Sequence, residues 1–150
     1  MADLATAVRD LTPSFSGRLL LLSDPGYDEA RRVHNGLIDK RPAVIAQCRG
    51  TADISDAVKL ARAHGLRVSV RGGGHNVAGR AVVEGGLMID LSLMRSIVVD
   101  PAARTARVEG GANWKEVNRE TQQFGLATTG GIVGSTGVAG LTLGGGFGWL

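Results

Sequence analysis

The sequence predicts an α+β fold, and three observations carry that expectation. An apolar run, a helical pattern and a second apolar run follow one another between residues 43 and 70. Three short β-rich runs come next, "GGLMIDL", "SIVVD" and "TARVEGG". Glycine then concentrates, with twelve of the 23 glycines between Gly110 and Gly148, too dense for ordinary turn punctuation. A chain of 150 residues with 43% hydrophobic content can bury one core, so one domain or one lobe of a larger domain is expected.

Residues 1–42 lean toward helix and are weakly patterned, with Pro13 and Pro25 dividing them into short pieces. They read as an N-terminal helical appendage packed on a main domain at 43–150. "AVIAQCR" then reads as a strand, and "TADISDAVKLARAHG" as a helix with Thr51 as its N-cap and Gly65 as its left-handed exit. Ile54, Val58 and Ala61 share one face, with Ala57 and Leu60 beside them, and that face should cover a sheet. "RVSV" is the next strand, parallel to the first, so residues 43–70 form a right-handed β-α-β crossover.

"DPAAR" separates two of the following strands by a turn at Pro101. "NWKEVNRETQQFG" reads as a helix capped by Asn113, closed by Gly125, with Trp114, Val117 and Phe124 as core candidates. The last stretch, "LATTGGIVGSTGVAGLTLGGGFGWL", holds too much glycine for a stable helix and too many apolar residues for a free loop. The chain stops at Leu150 without a polar cap or tail, which reads as truncation.

Charge and composition narrow the function classes. Lys and Arg number 17 against 14 Asp and Glu, scattered along the chain, and aromatic residues make up 4%; nucleic-acid binding is not expected. The single Cys48 sits in an apolar run and reads as a small buried thiol, so no disulfide framework exists. "MADLATAVRDL" lacks the features of a secretory signal, and no apolar run approaches the roughly 20 residues that cross a bilayer. A cytoplasmic setting without membrane attachment is expected.

The chemistry concentrates at "RVSVRGGGHNVAG", Arg67 to Gly79. A strand ending in Gly72, Gly73 and Gly74 exposes main-chain N–H groups with no Cβ in the way, and such a row of donors suits anionic oxygens, phosphate above all. Arg71 stands where it either adds positive charge or lies solvated at the surface. No GK[ST] occurs, and the register beginning at Gly72 puts Val77 where a G-x-G-x-x-G pattern needs its last glycine, so neither a P-loop nor a simple Rossmann fingerprint fits. His34 and His64 read as structural, the latter in the last turn of a helix. His75, beside the phosphate cradle and with a second glycine-rich segment downstream, reads as functional. No zinc spacing and no G-x-S-x-G are found, and Asp90 fits either a ligand hydrogen bond or a turn.

From about Ala43 to Leu150 the sequence resembles the berberine bridge enzyme-like covalent flavoproteins of the p-cresol methylhydroxylase and vanillyl alcohol oxidase superfamily. Three features in order carry the likeness: "VRGGGHN", "MIDLS" and "GIVGSTGVAGLTLGGGFGWL". The resemblance implies a PCMH-type FAD-binding domain, with an N-terminal β-α-β lobe and the start of a second FAD lobe, incomplete at its C-terminus. It implies that the loop from Arg71 to Asn76 wraps the FAD pyrophosphate and that His75 forms a bond from a ring nitrogen to the flavin 8α-methyl carbon, by nucleophilic addition of neutral imidazole.

Gly134, Ser135, Thr136, Val138, Gly140 and Leu141 would line the isoalloxazine and ribityl chain, and Gly144, Gly145 and Gly146 would allow close approach of backbone to cofactor. The position matching Thr136 is commonly Val or Leu and helps set oxygen access in the family. Val133 occupies the place of the cysteine that gives some relatives a second flavin bond, so a single covalent link is implied. A full-length relative would take a hydride from a C–H next to an alcohol or amine, holding a small-molecule substrate through a C-terminal domain beyond these 150 residues. The chain itself supplies no identifiable catalytic base and would be inactive alone. The alternatives are a non-enzymatic nucleotide or anion-binding module and a nonfunctional remnant.

Overall fold

Two short, mostly apolar and buried runs, Val44–Gln47 and Leu87–Asp90, form the centre of the main sheet in the computed structural model, which describes residues 3–146. Four strands make this sheet: β1 (Arg18–Leu20), β2 (Val44–Gln47), β3 (Val68–Arg71) and β4 (Leu87–Asp90), in the order β1-β2-β4-β3. β1 is antiparallel to β2, whereas β2, β4 and β3 run parallel.

The expected β-α-β unit is present, with α3 (Thr51–Ala63) joining β2 to β3, but these strands are not neighbours. β4 inserts between them. All four of its residues are buried, which is the pattern of a central parallel strand covered on both faces. Alternation along the strands divides the core. Val44, Ala46, Leu87 and Ile89 face α1 (Leu4–Leu11) and α3 with Val8, Ala57, Leu60 and Ala61; Ile45 and Met88 face the other way, onto Leu20, Tyr27, Ala30 and Val82.

The N-terminal segment departs from its helical reading. After α1 and a single 3-10 turn at Thr12–Ser14 it contributes β1 to the sheet edge, followed by the one-turn helix α2 (Tyr27–Ala30). The run of four leucines at 19–22 shows no period by which a three-residue strand could be told from helix. The α3 assignments also shift. Gly50 is the N-cap and Thr51 the first helical residue, without a capping side chain. Val58 is 47% exposed, because the inward stripe centres on Ala57, Leu60 and Ala61 and leaves Val58 on the flank. Gly65 closes the helix with φ +62°, as expected.

β5 (Ile97–Asp100) and β6 (Thr105–Val108) pair as an antiparallel hairpin. It leads into α4 (Trp114–Gln122). Asn113 caps α4, accepting from the Glu116 N–H at 3.1 Å, while the Glu116 carboxylate accepts from the Asn113 N–H at 2.9 Å; together they form a capping box. Trp114 and Val117 are buried, but Phe124 is 50% exposed, since the helix ends before it and Gly125 turns the chain at φ +64°.

The glycine-rich stretch holds a short helix, α5 (Val138–Gly144), against the expectation that glycine would prevent one. Its start is tied to the rest of the molecule by a bond from the Val138 N–H to the Ala112 carbonyl at 3.0 Å, so tertiary contact overrides propensity. The "FGWL" end of the third motif lies outside the described residues. No helix among the described residues is long and apolar enough to cross a membrane.

Candidate active site

The site begins where β3 and β4 end side by side. Parallel register makes Arg71 and Asp90 partners across the two strands. The Asp90 carboxylate is fully buried and accepts from Arg71 Nε at 3.0 Å and Nη2 at 2.6 Å, from Gln47 Nε2 at 3.1 Å, and from the Ser92 N–H and hydroxyl at 3.0 Å each. A buried charge with that many donors is stabilised rather than merely tolerated. Arg71 therefore directs its guanidinium at Asp90, and its remaining Nη1 donates to the Arg32 carbonyl at 2.8 Å. Asp90, open between two roles in the sequence, is the anchor of this network.

The three glycines that follow meet other main chain. A Cβ on Gly72 would lie 2.7 Å from the Gly110 carbonyl oxygen, and one on Gly73 would lie 2.3 Å from the Gly137 nitrogen; real Cβ atoms do not approach that closely. Gly74 adopts φ +70°, a conformation that favours glycine. The protein's own packing thus demands these glycines, joining the loop to the second glycine-rich segment. Among the described residues, the N–H groups of Gly72, Gly73, Gly74, His75 and Asn76 find no acceptor, and all five residues line one cleft, an arrangement suited to anionic oxygens.

His75 follows at the wall of the resulting cleft. Its Nε2 lies 3.2 Å from the Ser135 hydroxyl and its Nδ1 3.4 Å from the Thr136 hydroxyl. The ring stacks on His34, with centroids 4.1 Å apart and planes at 12°. Burial first, and then the neighbouring His34, hold the His75 ring below the ordinary imidazole range, which favours the neutral form. The sequence marks His34 only as a structural residue; the fold instead places it directly against the key imidazole. No local pattern announces it, because its partner comes from a different part of the chain.

The cleft measures about 440 Å³ and brings together Gly72, Gly73, Gly74, His75 and Asn76 with Thr136, Gly140, Leu141, Gly144 and Gly145, plus Gly137, Arg80 and Val70. Of the other sequence candidates, Arg71 and Ser135 border a smaller depression that shares Gly72 and Gly73 with the cleft, Gly134 packs on Lys115, Val138 lines a separate groove with Trp114 and Val117, and Gly146 packs on the Leu141 side chain. A larger hollow, about 560 Å³, lies over the polar face of α4. It holds neither glycine-loop donors nor His75. The glycine-lined cleft fits a flat, diphosphate-bearing cofactor: donors at one end and side-chain-free walls at 140, 144 and 145.

The FAD binding domain family matches residues 42–150. The chain is 39% identical over 137 residues to (R)-6-hydroxynicotine oxidase of Paenarthrobacter nicotinovorans, covering 91% of this chain and 30% of that protein. An uncharacterised FAD-linked oxidoreductase of Bacillus subtilis is 38% identical, with 90% and 30% covered. Among solved structures, 6-hydroxy-D-nicotine oxidase from Arthrobacter nicotinovorans superposes with a TM-score of 0.83 at 37% identity, over 85% of this chain and 28% of that one. The BBE-like 1 protein of Physcomitrella patens gives a TM-score of 0.89 at 24% identity, over 99% and 32%, a likeness of fold. The chain spans about 30% of the length of the curated relatives it matches. On the family match over residues 42–150, the chain belongs to the FAD binding domain family.

Proposed function

We propose that this chain holds FAD in the cleft between residues 72–76 and 136–145 and carries it on a single bond from a ring nitrogen of His75. The observation that carries this reading is the position of the His75 ring at the cleft wall, held at both nitrogens by Ser135 and Thr136, beside the main-chain donors of residues 72–76. When bound, FAD supplies a two-electron acceptor for a substrate C–H next to an alcohol or amine, the substrate being held by parts of a longer protein. This chain alone binds cofactor without turnover.

The chain's own groups divide the work. The N–H row from Gly72 to Asn76 binds the diphosphate, and Leu141 with the glycines around it gives the ring a side-chain-poor wall. One of the hydroxyls of Ser135 and Thr136 accepts a hydrogen bond from the imidazole N–H and the other donates to the unprotonated nitrogen. That lone pair would form the bond to the 8α-carbon as one C–H proton and the imidazole N–H proton leave to solvent and the two electrons pass through the flavin to dioxygen. A second attachment is unsupported. Val133 has no thiol, and Cys48 is completely buried, its thiol pushed up to about 12 by desolvation and then by Asp53 and Asp90.

The test is attachment itself. After incubation with FAD and acid precipitation, the intact mass of the chain should increase by one FAD less two hydrogens, and His75→Ala should remove the adduct while FAD still binds non-covalently. Complete release of flavin from the unaltered protein by acid would defeat the covalent assignment. ADP binding as tight as FAD binding would instead favour the simpler nucleotide-binding module.

A further inference from the structure

The segment from Arg32 to Lys40 precedes the residues matched by the family, 42–150, yet it is fastened along the whole glycine–histidine loop. The Arg32 carbonyl accepts from Arg71, and the His34 N–H donates to the Gly74 carbonyl at 3.0 Å. Asn35 Nδ2 donates to the Val77 carbonyl at 2.9 Å, and Lys40 Nζ to the Gly79 carbonyl at 2.9 Å. Ile38 packs so closely on Gly79 that a Cβ there would sit 2.7 Å from its Cγ2. This strap lays the His34 ring flat on one face of His75 while the Ser135 and Thr136 hydroxyls hold its edge. Three sides of the imidazole are therefore occupied by protein.

Resting on the covalent reading above, we propose that His34 is a positioning residue for flavin attachment: its ring is the platform that keeps the His75 imidazole in one orientation toward the cleft. Without it, the exposed face of the ring is free to rotate out of line with its target, and attack geometry is sensitive to such displacement. A platform acts through stacking, so an aromatic ring of any kind at 34 should serve. The other charged groups near the loop do not substitute for it. Arg71 is paired with Asp90, and Arg80 stands in the cleft wall with its main-chain N–H held by Asn76.

The experiment compares His34→Phe and His34→Ala with the unaltered chain by the rate of adduct formation with FAD, followed by intact mass. In parallel, NMR of the flavin-free proteins follows the titration of the His75 ring. His34→Ala should slow attachment by about tenfold or more and raise the His75 midpoint, because the covered face becomes solvated. His34→Phe should restore most of the rate and leave the midpoint closer to the original. Attachment by His34→Ala at the unaltered rate overturns the platform alone, as does equal loss in both variants. Absence of any adduct in the unaltered chain overturns the covalent reading and this inference together. Non-covalent FAD binding by each variant shows that the cleft is folded, and the NMR midpoint reads the platform even where attachment is slow.

Discussion

At the scale of single residues, the decisive positions are those at which an atom is missing. Gly73 touches the Gly137 main chain, so Gly73→Ala must force the two segments apart and should destabilise the protein by about 1–3 kcal/mol, the usual range for overpacking. Gly36 provides the contrast, since a Cβ added there would meet nothing within 4 Å and its backbone is not left-handed. Gly36→Ala should leave the stability read from urea unfolding within about 0.5 kcal/mol of the original. His75 adds a pH dependence. Its folded-state affinity for a proton is lowered, so the neutral ring persists to lower pH than in an unfolded chain. The rate of flavin attachment should fall on acidification with a midpoint below about 6.5, the ordinary imidazole value. The same linkage makes its stability contribution complete above the unfolded value and lost as pH falls through the folded one. A rate profile centred above the ordinary value would contradict the burial argument.

At the scale of elements, α4 stands out because its start is legible in the sequence and its role is not. Asn113 and Glu116 form a reciprocal pair at the expected cap, and Asn113→Ala should cost about 1 kcal/mol in chemical denaturation. The same element positions Gly134 and Gly131, which pack on Lys115 and Trp114, so a weaker cap should also loosen the wall that holds Ser135. The sequence discloses strands and helices that carry local patterns: β2, α3, β3 and the β5–β6 hairpin. It does not disclose β1, whose leucines lack a period, or α5, whose glycines oppose helix in isolation. Both depend on contacts made by remote chain. The site divides in the same way. Consecutive glycines before a histidine announce themselves, whereas the Asp90 network and His34 are assembled only when three strands and the strap come together.

At the scale of the whole molecule, the strand ends, the strap and the glycine loop are one construction, with Asp90 at its hub. Arg71 connects that carboxylate to Arg32 at the start of the strap. Asp90→Asn leaves a largely buried guanidinium without its counter-charge and should cost about 3 kcal/mol or more, seen as a lower denaturant midpoint. FAD binding should weaken in the same variant, since strap and loop lose their common anchor. A variant with unchanged stability would mean that Gln47, Ser92 and Arg71 reorganise around the amide.

The contact of Gly73 with Gly137 has a consequence for how this site can diversify. Where two peptide backbones abut directly, no smaller amino acid exists to which either partner can retreat, and any larger one is a wedge. Breadth at that end of the groove is consequently inaccessible to gradual mutational adjustment, and variation in ligand preference must arise from the opposite bank, where Leu141 and its helical neighbours still have side chains to exchange.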